Sequence, residues 1–270
     1  MSSDLFDMAD RVVIITGGAG LLGMSHARAI HGAGGIPVLL DIAPVALSHL
    51  RERLGFEVQC HTCDITDESA LQRVLALVLA EYGRVDVLVN NAANNPRVEV
   101  SGSLANSRLE NYSLDAWQAD LAVGLTGAML CSRVFGGEMA RRGKGVIVNI
   151  ASDLALIGPD QRLYAIDGRA HDEQPVKPVS YSVVKSGLIG LTRYLATYWA
   201  ASGIRANALC PGGVENGQDT VFVKRIAERI PLGRMASLDE YQGAMLFLCS
   251  DASSYMTGAV LAIDGGRSTW

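Results

Sequence analysis

The chain has 270 residues, 49% of them hydrophobic, with 23 basic and 28 acidic side chains, a net charge of −5 and a pI near 5.5. With mean hydropathy at +0.21, this composition excludes a disordered chain and suits one large α/β domain. There is no basic stripe, which argues against nucleic acid and anionic membrane surfaces as partners. The N-terminus "MSSDLFDMADRVVIITGG" carries acidic residues where a signal peptide is basic. No segment approaches the run of about 18 uninterrupted apolar residues of a membrane-spanning helix, so a soluble, cytoplasmic protein is expected. The five cysteines, Cys60, Cys63, Cys131, Cys210 and Cys249, are odd in number and scattered, as expected of reduced thiols. "CHTC" (Cys60 to Cys63) lacks a second Cys/His pair at metal-binding spacing, and no metal is expected.

In chain order, "RVVIITGG" reads as a short β-branched strand ended by glycines, and "LLGMSHARAIHGAG" follows with helical spacing. "IPVLLD" is a second buried strand, "PVALSHLRERLG" a helix with Pro44 near its start, and "FEVQCHTCD" a third strand. "DESALQRVLALVLAEYG" is helical and "VDVLVNNAA" is a fourth strand. "GKGVIVNIAS", "IRANALCPGG" and "GAVLAIDGG" supply three more strands, with apolar helices over about 113–142, 180–202 and 237–249. Continuous apolar strands alternating with helices predict a parallel sheet covered on both faces. The expected fold class is therefore α/β: one doubly wound Rossmann domain of about seven strands over residues 1–270.

The first strand runs into "TGGAGLLG", residues 16–23, where Gly17, Gly20 and Gly23 recur every third residue before a helix. Small residues at that junction let backbone approach a pyrophosphate seated on the helix N-terminus. Thr16, Gly17, Gly20, Leu21 and Leu22 are the candidate contacts. Asp41 ends the second strand about 20 residues later, where a carboxylate hydrogen-bonds ribose hydroxyls and repels a 2′-phosphate. No Arg or Lys stands in the glycine loop or directly after Asp41. The expected cofactor is NAD. Further on, "YSVVK" places Tyr181 one helical turn before Lys185, on the same face.

Seven segments in order, "TGGAGLLG", "CDITD", "NNAA", "VIVNIAS", "YSVVK", "RANALCPGG" and "GAVLAIDGG", make the chain resemble the short-chain dehydrogenase/reductase family over essentially its whole length. The TGxxGxxG spacing resembles the family's longer sugar-nucleotide members, whereas the length and the closing "DGG" resemble its short ones. The resemblance implies that Asp64 and Ile65 cradle the adenine. Asn90 to Ala92 line the adenosine ribose and brace the central strand, Asn91, Ala92 and Ala93 being cofactor contacts. Pro211, Gly212 and Val214 hold the carboxamide end of the nicotinamide. It also implies that Ser152, Tyr181 and Lys185 are catalytic. Tyr181 is the acid/base, Lys185 favours its phenolate and holds the nicotinamide ribose, and Ser152 donates to the substrate oxygen.

Two features depart from the family pattern. The long helix usually carries an asparagine in a phrase like N-L-T-G, which bends the helix and holds a water of the proton relay. Here "GLTG" puts Gly124 in that place. A glycine is expected to open the helix and leave a carbonyl for the water. Asp120, one turn earlier, is a candidate substitute and otherwise a solvated or interface charge. Second, 29 residues separate Ser152 from Tyr181, more than twice the usual gap. The extra segment, 153–179, is expected to be a loop leaning over the substrate end. Its charges, with Arg97 on the loop after "NNAA", suit a polar substrate rather than a steroid or acyl chain. The candidate substrate residues are Asn94, Arg97, Ser152, Asp153, Gln161, Arg162, Lys177 and Gly213.

The stretches "GLTGAMLCSRVFGGEMARRGKGVIVNIASDLALI" and "PVKPVSYSVVKSGLIGLTRYLATYW" resemble the family branch tied to flagellin glycosylation and nonulosonic (legionaminic) acid supply. That implies an NAD-dependent dehydrogenase of a sugar or amino-sugar phosphate. The alternatives are a general secondary-alcohol or 3-oxoacyl reductase, and a non-catalytic NAD-binding regulator. The resemblance further implies a homotetramer or homodimer built on paired apolar helices.

Overall fold

The computed structural model describes residues 5–44, 49–94 and 104–270. Seven strands form one parallel sheet in the order β3-β2-β1-β4-β5-β6-β7. They are β1 (Val12–Thr16), β2 (Ile36–Asp41), β3 (Gln59–Thr62), β4 (Val87–Asn90), β5 (Gly145–Ile150), β6 (Ile204–Pro211) and β7 (Val260–Ile263). β1, β4 and β5 are buried along their whole length, as the absence of polar alternation in their sequences requires. The chain reverses its winding between β1 and β4, which opens the crevice at their C-terminal ends where α/β sheets hold ligands.

Helices α1 (Leu21–Gly32), α2 (Leu50–Leu54), α3 (Glu68–Tyr82), α4 (Leu114–Arg142), α5 (Val179–Tyr198), α6 (Thr220–Ala227) and α7 (Gln242–Cys249) cover the two faces. One core packs α3 and α4 against the sheet through residues such as Leu71, Val74, Phe135 and Met139. The other packs α1 and α7 through Met24, Ile30, Met245 and Leu248. Residues 45–48 of the expected second helix lie outside the described residues. Helix α6 is not evident from apolar spacing alone. Asp219 caps its start by accepting from the backbone N–H of Val221 and Phe222. α4 is long and apolar enough to cross a membrane by length and composition only, and half of that stretch is buried in the fold. Among the described residues the cysteines are free thiols, and no cluster of metal-binding side chains occurs.

His26 of α1 is fully buried, and neither ring nitrogen has a hydrogen-bond partner. Burial pushes its pKa down to about 4. A depressed histidine must charge on unfolding, so stability is lost as pH falls from about 6.5 through 4. The loss at the acid end reaches about 3 kcal/mol, from 1.36 kcal/mol per pKa unit. His26→Leu is expected to flatten the Tm-against-pH curve between pH 4 and 6.5. A parallel curve for the variant would contradict this.

Candidate active site

The glycine loop joins β1 to α1. Gly17 has φ +62, a conformation side chains rarely adopt, and a Cβ there would lie 2.9 Å from Ala92 Cα. A Cβ on Gly23 would lie 2.3 Å from the Gly17 carbonyl. The turn Gly20 N–H to Gly17 O, 3.1 Å, leads into α1, whose first turn carries no acidic side chain. Bare backbone at the N-terminus of a twelve-residue helix fits a pyrophosphate. Leu21 and Leu22 keep partial exposure on that first turn.

Asp41 stands at the tip of β2 beside this loop. Its Oδ2 accepts from Ala19 N (3.1 Å) and its Oδ1 from Ala43 N (3.2 Å). Those bonds fix the carboxylate where a ribose diol on the loop would meet it. After β3, Asp64 Oδ1 accepts from both the backbone and the hydroxyl of Thr66, while Ile65 is buried against Gly127 of α4. Asn91 joins β4 to β1: its Nδ2 donates to Thr16 O and Gly17 O, and Ala92 N donates to Thr16 Oγ1. Asn94 is exposed and donates to Ala119 O; Arg97 lies outside the described residues. Asn90 acts as a brace. Its Nδ2 reaches Asn149 Oδ1 at 2.8 Å, and Asn149 donates to Thr192 Oγ1, so β4, β5 and α5 are tied through the core.

The three candidate catalytic residues meet where β5 ends and α5 begins. Pro178 precedes the first turn of α5 and puts Tyr181 in that turn. Lys185 is buried; its Nζ donates to Ile150 O at 2.7 Å and lies 5.9 Å from the Tyr181 ring centroid. Burial pushes its pKa down to about 8, and the charge of Lys177 pushes the same way. Ser152, two residues after β5 ends, donates from Oγ to Asp153 Oδ1 at 2.8 Å. Burial raises the Tyr181 phenol, its hydrogen bond with Ser152 opposes the rise, and Asp153 adds to it. The expectation that Lys185 brings the phenol toward neutrality therefore meets a larger opposing cost of burial.

Three further features were not evident in the sequence. Lys177 Nζ sits 3.9 Å over the Tyr181 ring, and burial lowers its pKa to about 8, against the pull of Asp120 and Asp153. Asp120 is buried and accepts from Ser180 Oγ and Tyr112 Oη (2.7 Å), so it is an internal anchor next to the start of α5, not a solvated charge. Asp153 Oδ2 pairs with Arg267 Nη1 at 2.6 Å, both side chains being almost fully buried. No spacing rule links residues 114 positions apart.

Segment 153–179 is bonded into the fold. Gln174 closes it on Ile166 and Arg169, Arg108 donates to His171 O, and Gln161 Oε1 accepts from Lys177 N. Arg225 donates to Ala165 O, while Leu163 packs with Ile226, Ile230 and Met235. The exposed Arg162 is committed to Asp160 through Nε (2.8 Å) and Nη2 (2.9 Å), and Arg229 binds the same carboxylate. On the other side, Pro211 ends β6; Gly212 O accepts from Tyr241 Oη, and Gly213 O from Ala236 N. Val214 bridges to Ala236.

A tyrosine and a lysine on one helical turn, a serine just past β5 and a glycine-loop crevice thus stand in the arrangement that the resemblance implies. A family model described as Enoyl-(Acyl carrier protein) reductase (adh_short_C2) matches residues 19–268. The chain belongs to the short-chain dehydrogenase/reductase family. Its relatives include a cis-4-hydroxycyclohexanecarboxylate dehydrogenase of Sinomonas cyclohexanicum, 33% identical over 96% of each chain. A D-threitol dehydrogenase of Mycolicibacterium smegmatis is 31% identical over 97% of this chain and 94% of its own. Among solved structures, a gluconate 5-dehydrogenase from Burkholderia cenocepacia in complex with NADP and tartrate superposes with TM-score 0.84. It is 28% identical over 99% of this chain and 98% of its own. This short-chain dehydrogenase/reductase is thus an oxidoreductase that uses a nicotinamide cofactor, and the fold is the single-domain Rossmann fold of its structural neighbours.

Proposed function

We propose that this short-chain dehydrogenase/reductase moves hydride between NAD(H) and a secondary alcohol or ketone of a polar, polyhydroxylated substrate. One observation carries the reading: Ser152, Tyr181 and the buried Lys185 converge beside a crevice whose rim holds the fixed Asp41 carboxylate. When bound, the nicotinamide supplies the hydride acceptor or donor and, when oxidised, a positive charge that favours phenolate. In alcohol oxidation, Tyr181 takes the hydroxyl proton at its phenol oxygen. For this step the Ser152 hydroxyl turns from Asp153 Oδ1 to donate to the same substrate oxygen, fixing the carbon for transfer. Lys185, held by Ile150 O, positions the nicotinamide ribose and carries charge below about pH 8.

NAD is assigned rather than NADP because Asp41 would face a 2′-phosphate with like charge. The relative crystallised with NADP makes titration with both dinucleotides the check. Wild type is expected to bind NAD at least tenfold tighter, and Asp41→Ala to shrink that preference. Tighter NADP binding by wild type would overturn the assignment.

The finer reading is a sugar or amino-sugar phosphate in a cell-surface or flagellin glycan (nonulosonic acid) pathway of the cytoplasm, served by a homotetramer or homodimer. Its support is the likeness of the two stretches quoted above and the charged segment 153–179 acting as a substrate loop. Lys177, whose Nζ lies 3.9 Å over the Tyr181 ring, is the cation placed to face an anionic group beside that residue, with Asn94, Gln161 and Gly213 as further contacts. NADH absorbance should be followed with hexose and amino-sugar phosphates, sugar alcohols and aldonates, 3-oxoacyl thioesters and simple secondary alcohols. Preferential turnover of the polar compounds supports the reading. Turnover of acyl or simple ketones alone would replace it by the general reductase, which relatives such as a 3-oxoacyl-[acyl-carrier-protein] reductase of Thermotoga maritima keep open.

A further inference from the structure

We infer that Arg267, in the last turn of the chain, is a positioning residue: it neutralises Asp153 so that Ser152 is oriented and Tyr181 can ionise. This rests on the roles of Ser152 and Tyr181 given above. The geometry is continuous. Arg267 Nη1 donates to Asp153 Oδ2 at 2.6 Å, and Asp153 Oδ1 accepts from Ser152 Oγ at 2.8 Å. The same Oδ1 accepts from Leu154 N at 2.8 Å, so the carboxylate cannot swing away without breaking three bonds. Arg267 and Asp153 are 7% and 4% exposed, where an ion pair is screened little and losing one partner leaves an uncompensated charge. Arg267 is itself placed by the tight turn in which Gly266 N and Ser268 N donate to Asp264, and Arg267 N to Asp264 O.

The charge balance around Tyr181 shows why this matters. Lys177 lies over the ring from the end of segment 153–179, and Lys185 lies one turn along α5. Asp153 approaches from the end of β5, and Tyr164 from within the segment. Behind them stand Asp120 of α4, toward Lys177, and Cys210 of β6, toward Lys185. Asp153 is the anion that acts on Tyr181 directly, and it raises the phenol. It also raises Tyr164, Tyr241 and Cys210. A carboxylate beside an acid that must become an anion is a liability for oxidation unless a fixed cation covers it. A guanidinium is that cation at every working pH, whereas the two lysines lose charge near pH 8. The C-terminal turn therefore completes the active site.

The test is a pH titration of tyrosinate absorbance, which needs no substrate, on wild type, Arg267→Met, Arg267→Lys and Asp153→Asn/Arg267→Met. Each is subtracted from the same protein carrying Tyr181→Phe, so that only Tyr181 is read. Arg267→Met is expected to move the Tyr181 transition up by about one pH unit. The double variant, which removes both charges, returns it, and Arg267→Lys stays within a few tenths of a unit of wild type. NAD binding, read from tryptophan fluorescence, should be kept by all four, showing that they fold. A purely structural pair would lower Tm with no movement of the Tyr181 transition, or would shift Arg267→Met and the double variant alike. Either result would overturn the inference. Loss of turnover by Tyr181→Phe is a separate matter, so failure here leaves the reading of Tyr181 standing.

Discussion

Tyr181→Phe is expected to lower kcat by about 10³-fold or more while leaving dinucleotide affinity within a few-fold of wild type. Phenylalanine keeps the ring under Lys177 and removes only the hydroxyl, the group proposed to exchange the proton. The range for losing a general acid/base is about 10² to 10⁴-fold. The upper part applies because the nearby serine and the lysine one turn along α5 are committed to other partners. Ser152 already shares its hydroxyl with Asp153, and Lys185 is held by Ile150 O. Steady-state kinetics with any substrate the wild type turns over, alongside fluorescence titration with NAD, separates the two effects. Equal losses in affinity and kcat would mean that the ring, not the hydroxyl, carries the contribution.

The second large effect concerns stability. Restoring the family's asparagine at position 124 should harm the protein. A Cβ on Gly124 would lie 2.4 Å from Val184 Cγ1, a buried side chain of α5 three residues after Tyr181. The contact is made by a β-branched side chain with little rotamer freedom, so α4 and α5 must separate. Overpacking of this kind costs about 1–3 kcal/mol, enough to lower Tm by about 5 °C in a domain of this size. Gly124→Asn should therefore melt earlier than wild type. Gly124→Asn with Val184→Ala should lose less than the two single changes together, because the second makes room for the first. Additive losses would show that the close approach of the helices is not the cause.

The same contact explains how far the sequence could be read here. An opened helix was expected from Gly124, and α4 does adopt wider π turns over Ala122–Gly127 and Ser132–Gly136. Such turns often mark functional sites. The reason for glycine, a side chain from another helix occupying the space, is invisible until α5 is packed. Asp120 is similar. A lone acid on an apolar helix reads as solvated, yet Tyr112 and Ser180 bury it from segments that no periodicity joins.

What was legible has a common cause. Buried parallel strands cannot alternate polar with apolar residues, so β1, β4 and β5 appear as runs rich in Val and Ile. Tyr181 and Lys185 are one turn apart on a single helix, and the glycines obey a backbone rule within eight residues. Local geometry writes itself into spacing. Long-range charge pairing does not, and Arg267 with Asp153 left no trace in the chain order. The loop charges show the converse error. Arg162 looked available in a polar segment, and in the fold its guanidinium is spent on Asp160 two residues away.

The measurement that tests the account most directly is a crystal structure with NAD and a substrate from the polar panel. The adenosine ribose hydroxyls should rest on Asp41, and the reacting oxygen should lie within hydrogen-bond distance of both Tyr181 Oη and Ser152 Oγ. A substrate oxygen bound away from Tyr181, or a ribose turned away from Asp41, would contradict the account.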